Sequence, residues 1–123
     1  MEKVLYVDDE RLNLMLFAAH LDKKYNVLTA ENGADGLLIL KENSDIRVVV
    51  SDMKMPQMNG IEFIKKAMEI APDTVFYILT GFEITEEIQQ ALDEGLIRKY
   101  FRKPFSFIEI SEEIERGLGN DDS

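Results

Sequence analysis

Short apolar runs alternate with longer stretches of helical period along the whole chain. The runs fall near residues 3–7, 25–29, 46–51, 74–79 and 98–102. Val48-Val49-Val50 and Val75-Phe76-Tyr77-Ile78-Leu79 are continuously apolar, as strands are when both faces of their sheet are covered. Apolar residues recur at helical spacing near 10–21, 33–42, 60–70, 84–94 and 106–117. This alternation predicts βα units and a parallel sheet. The helix ends carry matching chemistry. Gly95 closes the fourth helix, Pro72 stops the third, and Ser106 with Glu109 suits a capping box for the fifth.

Five βα units joined by right-handed crossovers predict a flavodoxin-like (βα)5 three-layer sandwich, with a parallel five-stranded sheet of order 2-1-3-4-5. One domain is expected over 1–118, with 119–123 as a disordered tail or linker stub. Ligands of such sheets bind outside the carboxyl ends of the strands. Asp8 and Asp9 follow the first run, Asp52 the third, Thr80 the fourth and Lys103 the fifth. All five groups therefore share one edge. Three clustered carboxylates repel one another, which raises a pKa or demands a cation.

Composition narrows the chemistry. The chain has 123 residues, a single histidine and no cysteine, which leaves oxygen ligands and favours Mg²⁺ over soft metals. The net charge of −10 opposes direct nucleic-acid binding. No stretch has the length or pattern of a membrane span or signal peptide, so no membrane contact and a cytoplasmic location are expected. Taken singly, each aspartate is an ordinary strand end or helix cap. Together with Thr80 and Lys103 on successive strand ends, they read as a site for a metal and an anionic group.

At these residues the chain resembles the receiver domains of two-component response regulators, including the chemotaxis regulators. The likeness rests on Asp8-Asp9-Glu10, Ala30-Glu31-Asn32-Gly33 and Asp52-Met53-Lys54-Met55-Pro56-Gln57-Met58-Asn59-Gly60. It continues with Thr80-Gly81, Tyr100 and Lys103-Pro104-Phe105, and covers about residues 2–117. The resemblance implies that Asp52 accepts a phosphoryl group from a sensor histidine kinase or histidine phosphotransfer protein. Asp9, Asp52 and the backbone carbonyl of Lys54 would hold Mg²⁺, with Asp8 acting partly through water. Thr80 and Lys103 would each bind a phosphoryl oxygen, and the Lys103-Pro104 bond would be cis. Thr80 and Tyr100 would form the switch. The surface of the fourth helix, fifth strand and fifth helix would change its partners, and a homodimer could form through it. The family is a signalling switch rather than an enzyme, although it promotes its own phosphorylation and slow dephosphorylation.

Other features admit plainer readings. Leu12, Met15, Leu16 and Ala19 form a second apolar stripe on the first helix, beside Leu14, Phe17, Ala18 and Leu21. It is either part of one broad core face or a docking face for a partner helix, with Pro104 and Phe105 nearby in the resemblance. His20 is expected to be a partly buried helix residue. Arg98, Lys99, Arg102 and Lys103 read as charge guarding an edge strand. The acidic run Glu109, Glu112, Glu113 and Glu115 reads as a solvated face. Gly81 leaves space beside Thr80, and Phe82 is expected to shield an acyl phosphate from water. A flavin carrier of the same fold is the first rival, but Asp8-Asp9-Glu10 would repel a cofactor phosphate. A module with a dead site and a Mg²⁺-dependent phosphohydrolase are weaker rivals. All five site residues are present, and Lys54 stands where the best-known aspartyl phosphatases carry a second aspartate.

Overall fold

The computed structural model describes residues 1–81 and 83–119; Phe82 and residues 120–123, and the expectations placed on them, lie outside these. Ten elements alternate: β1 (Lys3–Val7), α1 (Arg11–Leu21), β2 (Asn26–Ala30), α2 (Gly33–Glu42) and β3 (Ile46–Asp52). They continue with α3 (Gly60–Ile70), β4 (Val75–Thr80), α4 (Glu86–Asp93), β5 (Lys99–Arg102) and α5 (Phe107–Gly117). All strands pair in parallel in the order β2-β1-β3-β4-β5, as the alternation predicts. Element ends differ from the sequence reading by at most two residues. Among the described residues no helix is long and apolar enough to cross a membrane.

The period of two along each strand builds two separate cores. Val4, Tyr6, Val48, Val50, Tyr77, Leu79 and Phe101 face α1 and α5. Leu5, Val7, Val49, Phe76 and Ile78 face α2, α3 and α4. The central strands β1, β3 and β4 are almost wholly buried. Both faces are covered, which is why their sequences show no polar alternation.

Local chemistry sets the helix starts. Asn32, Asn59, Thr85 and Ser106 each accept a backbone N–H from the first turn of α2, α3, α4 and α5. The complete capping box belongs to Asn59 and Glu62 at α3. At α5, Ser106 accepts from Glu109 N at 3.3 Å, one arm of the box expected there. Gly95 follows α4 with φ +75, the left-handed conformation that glycine supplies without steric cost.

Two expectations need correction. His20 is exposed rather than partly buried; its ring stacks on Phe107 with centroids 4.0 Å apart, and Nδ1 lies 2.8 Å from the Leu16 carbonyl. Glu113 is not on a solvated face. It is buried and accepts from Arg98 Nε at 2.7 Å and the Tyr77 hydroxyl at 3.0 Å, which ties α5 to β4 and to the start of β5. Arg98 thus serves an internal ion pair as well as the edge. Gly81 leaves space beside Thr80 as expected: a Cβ there would make only an ordinary contact with Lys103, at 3.7 Å.

Candidate functional site

Each site residue owes its place to a strand end. Asp8 continues β1, and its N–H donates to Ala30 C=O at 3.1 Å. Asp52 ends β3, paired in register with Leu79 of β4. Thr80 ends β4, and Lys103 N–H donates to its carbonyl at 2.8 Å, seating the start of the β5–α5 loop beside it. The Lys103-Pro104 bond is cis. Tyr6, Val50 and Phe101 lie two residues before Asp8, Asp52 and Lys103 and belong to the α1/α5 face. Strand alternation aims all three groups toward that side. Thr80 shares the opposite face with Ile78. Tyr100, the register partner of Ile78, is partly buried on that same face.

The predicted residues converge. Oxygens of Asp8, Asp9 and Asp52 lie within 4.8 Å of one another. Lys103 Nζ is 2.6 Å from Asp52 Oδ1, with only 30% of its side chain exposed. A cavity of about 530 Å³ opens over them, lined by Asp9, Asp52, Lys54, Pro56, Thr80 and Lys103 among others. Asp8 and Asp52 are buried, whereas Asp9 is exposed at the mouth. The donor set is all-oxygen and compact, which fits a hard divalent ion such as Mg²⁺. Leu12, Met15 and Leu16 project from α1 with 64%, 69% and 42% exposure, so the second stripe is not part of the core. Leu16, Pro104 and Phe105 border a shallow, mainly apolar cavity between α1 and the β5–α5 loop.

The electrostatics are those of crowded like charges with Lys103 paired against them. Burial raises the Asp52 pKa; the hydrogen bond from Lys103 opposes this, and the charges of Asp8 and Asp9 add to it. Burial alone would lower the Lys103 ammonium, but the bond and charge of Asp52, with Asp8 behind, leave it raised. The Tyr6 phenol is pushed far up by burial and then by Asp8, so it stays protonated and donates.

The Asp52 shift has a consequence for stability. With a raised pKa the folded state holds the Asp52 proton more tightly than the unfolded chain. Ionised Asp52 therefore costs stability; the cost is absent below the unfolded carboxylate range and grows as pH rises through the raised value. In EDTA at neutral pH, Asp52→Asn should be more stable than wild type by about 1 kcal/mol, or roughly 3–5 °C in Tm. The difference should shrink toward zero near about pH 4. Thermal melts of both proteins across pH check this, and a lower Tm for the variant at neutral pH contradicts it.

Sequence reasoning missed two residues that serve this site. Tyr6 donates to Asp8 Oδ2 at 2.6 Å, and Asn13 Nδ2 reaches the same oxygen at 3.1 Å. By periodicity Tyr6 is one more strand aromatic. Asn13 is one polar residue among the apolar stripes of the first helix, a weak signal that was available.

These features define a parallel α/β domain with an acidic cluster and a lysine at the carboxyl edge of its sheet. The chain belongs to the response regulator receiver domain family, whose model matches residues 4–115. Members of this family act as signalling switches in two-component systems. The chain is similar to sporulation initiation phosphotransferase F of Bacillus subtilis, at 32% identity over 95% of this chain and 94% of that protein. It is 29% identical to the hydrogenase transcriptional regulatory protein HoxA of Bradyrhizobium diazoefficiens, over 94% of this chain. There it spans only 24% of the relative's length. Among solved structures, a response regulator receiver domain protein from Clostridium thermocellum superposes with a TM-score of 0.91. It has 33% identity and covers 97% of this chain and 95% of that one.

Proposed function

We propose that this domain takes a phosphoryl group onto Asp52 from the phosphohistidine of a sensor histidine kinase or histidine phosphotransfer protein. The receiver domain would occupy 1–118. The observation that carries this reading is the 2.6 Å contact of Lys103 with Asp52 beside three converging carboxylates. In the transfer an Asp52 oxygen forms the new bond to phosphorus. The P–N bond of the donor breaks, and its electron pair stays on the imidazole nitrogen.

Asp8, Asp9, Asp52 and the Lys54 carbonyl would hold Mg²⁺, which when bound supplies positive charge against the phosphoryl oxygens. The chain's own groups do the rest. Lys103 neutralises the incoming oxygens from the cavity wall, and the Thr80 hydroxyl donates to one of them. Phosphoryl transfer depends mainly on such positioning and charge. Thr80 and Tyr100 share a sheet face and would pass the change to the surface of α4, β5 and α5, a route to a partner or to a homodimer. Two pre-existing states and a modest bias suffice. Leu12, Met15, Leu16, Pro104 and Phe105 would receive the histidine-bearing partner.

Incubation with acetyl phosphate and Mg²⁺, read by intact mass, tests the reading. One phosphoryl adduct is expected for wild type, and none in EDTA or for Asp52→Asn. An adduct of equal yield on Asp52→Asn, or none on wild type, contradicts it.

A further inference from the structure

The proposed chemistry uses the carboxylate of Asp8 but says nothing of what holds it. Asp8 is wholly buried, with a carboxylate oxygen within 4.8 Å of those of Asp9 and Asp52. A buried carboxylate is costly unless it is hydrogen-bonded, so its partners matter. Oδ2 accepts from the Tyr6 hydroxyl at 2.6 Å and from Asn13 Nδ2 at 3.1 Å, and Oδ1 accepts from Glu10 N–H at 3.0 Å. An ionised carboxylate only accepts, so Asn13 must present its amide N–H group here. Its two oxygens offer about four acceptor positions. Oδ2 is fully engaged, and Oδ1 keeps one direction open.

Neither partner is loosely held. The Tyr6 ring is buried and stacks on Phe17 of α1, with centroids 4.1 Å apart and planes 12° from parallel. Asn13 sits in the first turn of α1, one turn before Phe17. One face of this helix thus contacts both the Tyr6 ring, through Phe17, and the Asp8 carboxylate, through Asn13.

We infer that Tyr6 and Asn13 are positioning residues that fix the Asp8 carboxylate and thereby set the affinity of the carboxylate cluster for a divalent cation. This rests on the reading of the cluster as a Mg²⁺ site. Hydrogen-bond partners of metal ligands contribute about 10- to 100-fold in metal affinity. Tyr6→Phe removes one hydroxyl and leaves the stacked ring, so it isolates the bond to Asp8. Asn13→Ala removes the second donor from a helix surface that tolerates alanine.

The test is calorimetric titration with MgCl₂ of wild type, Tyr6→Phe and Asn13→Ala, each also in an Asp8→Ala background. Tyr6→Phe should weaken Mg²⁺ binding about tenfold, and Asn13→Ala by a few-fold. Neither should change the affinity once Asp8 is gone. Melting in EDTA reports any purely structural cost separately. Affinities within about twofold of wild type in both folded variants overturn the inference while leaving the site reading intact. The same loss in the Asp8→Ala background also overturns it, because the effect would not pass through Asp8. Absence of Mg²⁺ binding to wild type would overturn the site reading itself, and the inference with it. If Tyr6→Phe fails to fold, Asn13→Ala and its Asp8→Ala double variant decide alone.

Discussion

Lys103→Ala should slow phosphorylation of the protein by acetyl phosphate by about 10²-fold at saturating Mg²⁺. Lys103 Nζ sits 2.6 Å from Asp52 Oδ1, so its charge acts beside the carboxylate on which the new bond would form. A metal ion held by Asp8, Asp9 and Asp52 would not fully replace it, since Lys103 makes its own contact with Asp52. The same substitution leaves Asp52 with raised pKa and two carboxylates close by, without their nearest cation. Breaking a fully buried pair is strongly destabilising. Here the Lys103 side chain is 30% exposed, and water takes up part of the loss. A stability cost of about 1–2 kcal/mol in EDTA is expected. Added Mg²⁺ should then raise the Tm of the variant more than that of wild type. Stopped-flow rates and paired melts check both statements. A rate within about threefold of wild type would mean that Lys103 is a structural partner only.

Gly60→Ala should destabilise the domain by about 3 kcal/mol or more and disable the site with it. The reason is the close approach of α3 to the end of β3. A Cβ on Gly60 would collide with the Asp52 carbonyl oxygen and come within 2.7 Å of Ile78 Cδ1 and 3.1 Å of Met53 Cα. Two of these three atoms are backbone and cannot rotate away. Gly60 N–H also donates to the Met53 carbonyl at 2.8 Å, so the helix cannot back off without losing that bond. Its backbone is not in the left-handed region, so steric contact alone makes the glycine necessary. Relief of the clash must displace the residue that carries the acceptor carboxylate. A Tm drop of roughly 10 °C or more is expected, together with loss of the phosphoryl adduct. Full stability in Gly60→Ala would show that α3 can shift without cost.

Much of this was legible from the chain. Continuous apolar runs at Val48–Val50 and Val75–Leu79 identified the covered central strands, and the strand ends identified Asp8, Asp9, Asp52, Thr80 and Lys103. Those signals are local: a period, a run, and the residue that ends it. What stayed hidden depends on contacts between distant segments. Glu113 looked like part of an acidic surface, yet Tyr77 and Arg98 bury and pair it. Gln57 adopts φ 69 in the β3–α3 loop, which nothing in a run of Met, Pro and Gln announces. Tyr6 carries the hydrogen bond that holds Asp8, although by strand period it is one more core aromatic. The exposed stripe on α1 could be told from a core face only once α5 was seen to cover the other side of the helix.

The central claim is that one carboxylate, that of Asp52, forms the acyl phosphate. Borohydride reduces an aspartyl phosphate to homoserine, and peptide mapping then locates it. After treatment with acetyl phosphate and Mg²⁺, homoserine is predicted at position 52 and at no other aspartate. Homoserine at Asp8 or Asp9, or an unmodified Asp52 in protein that carries the adduct, would contradict it.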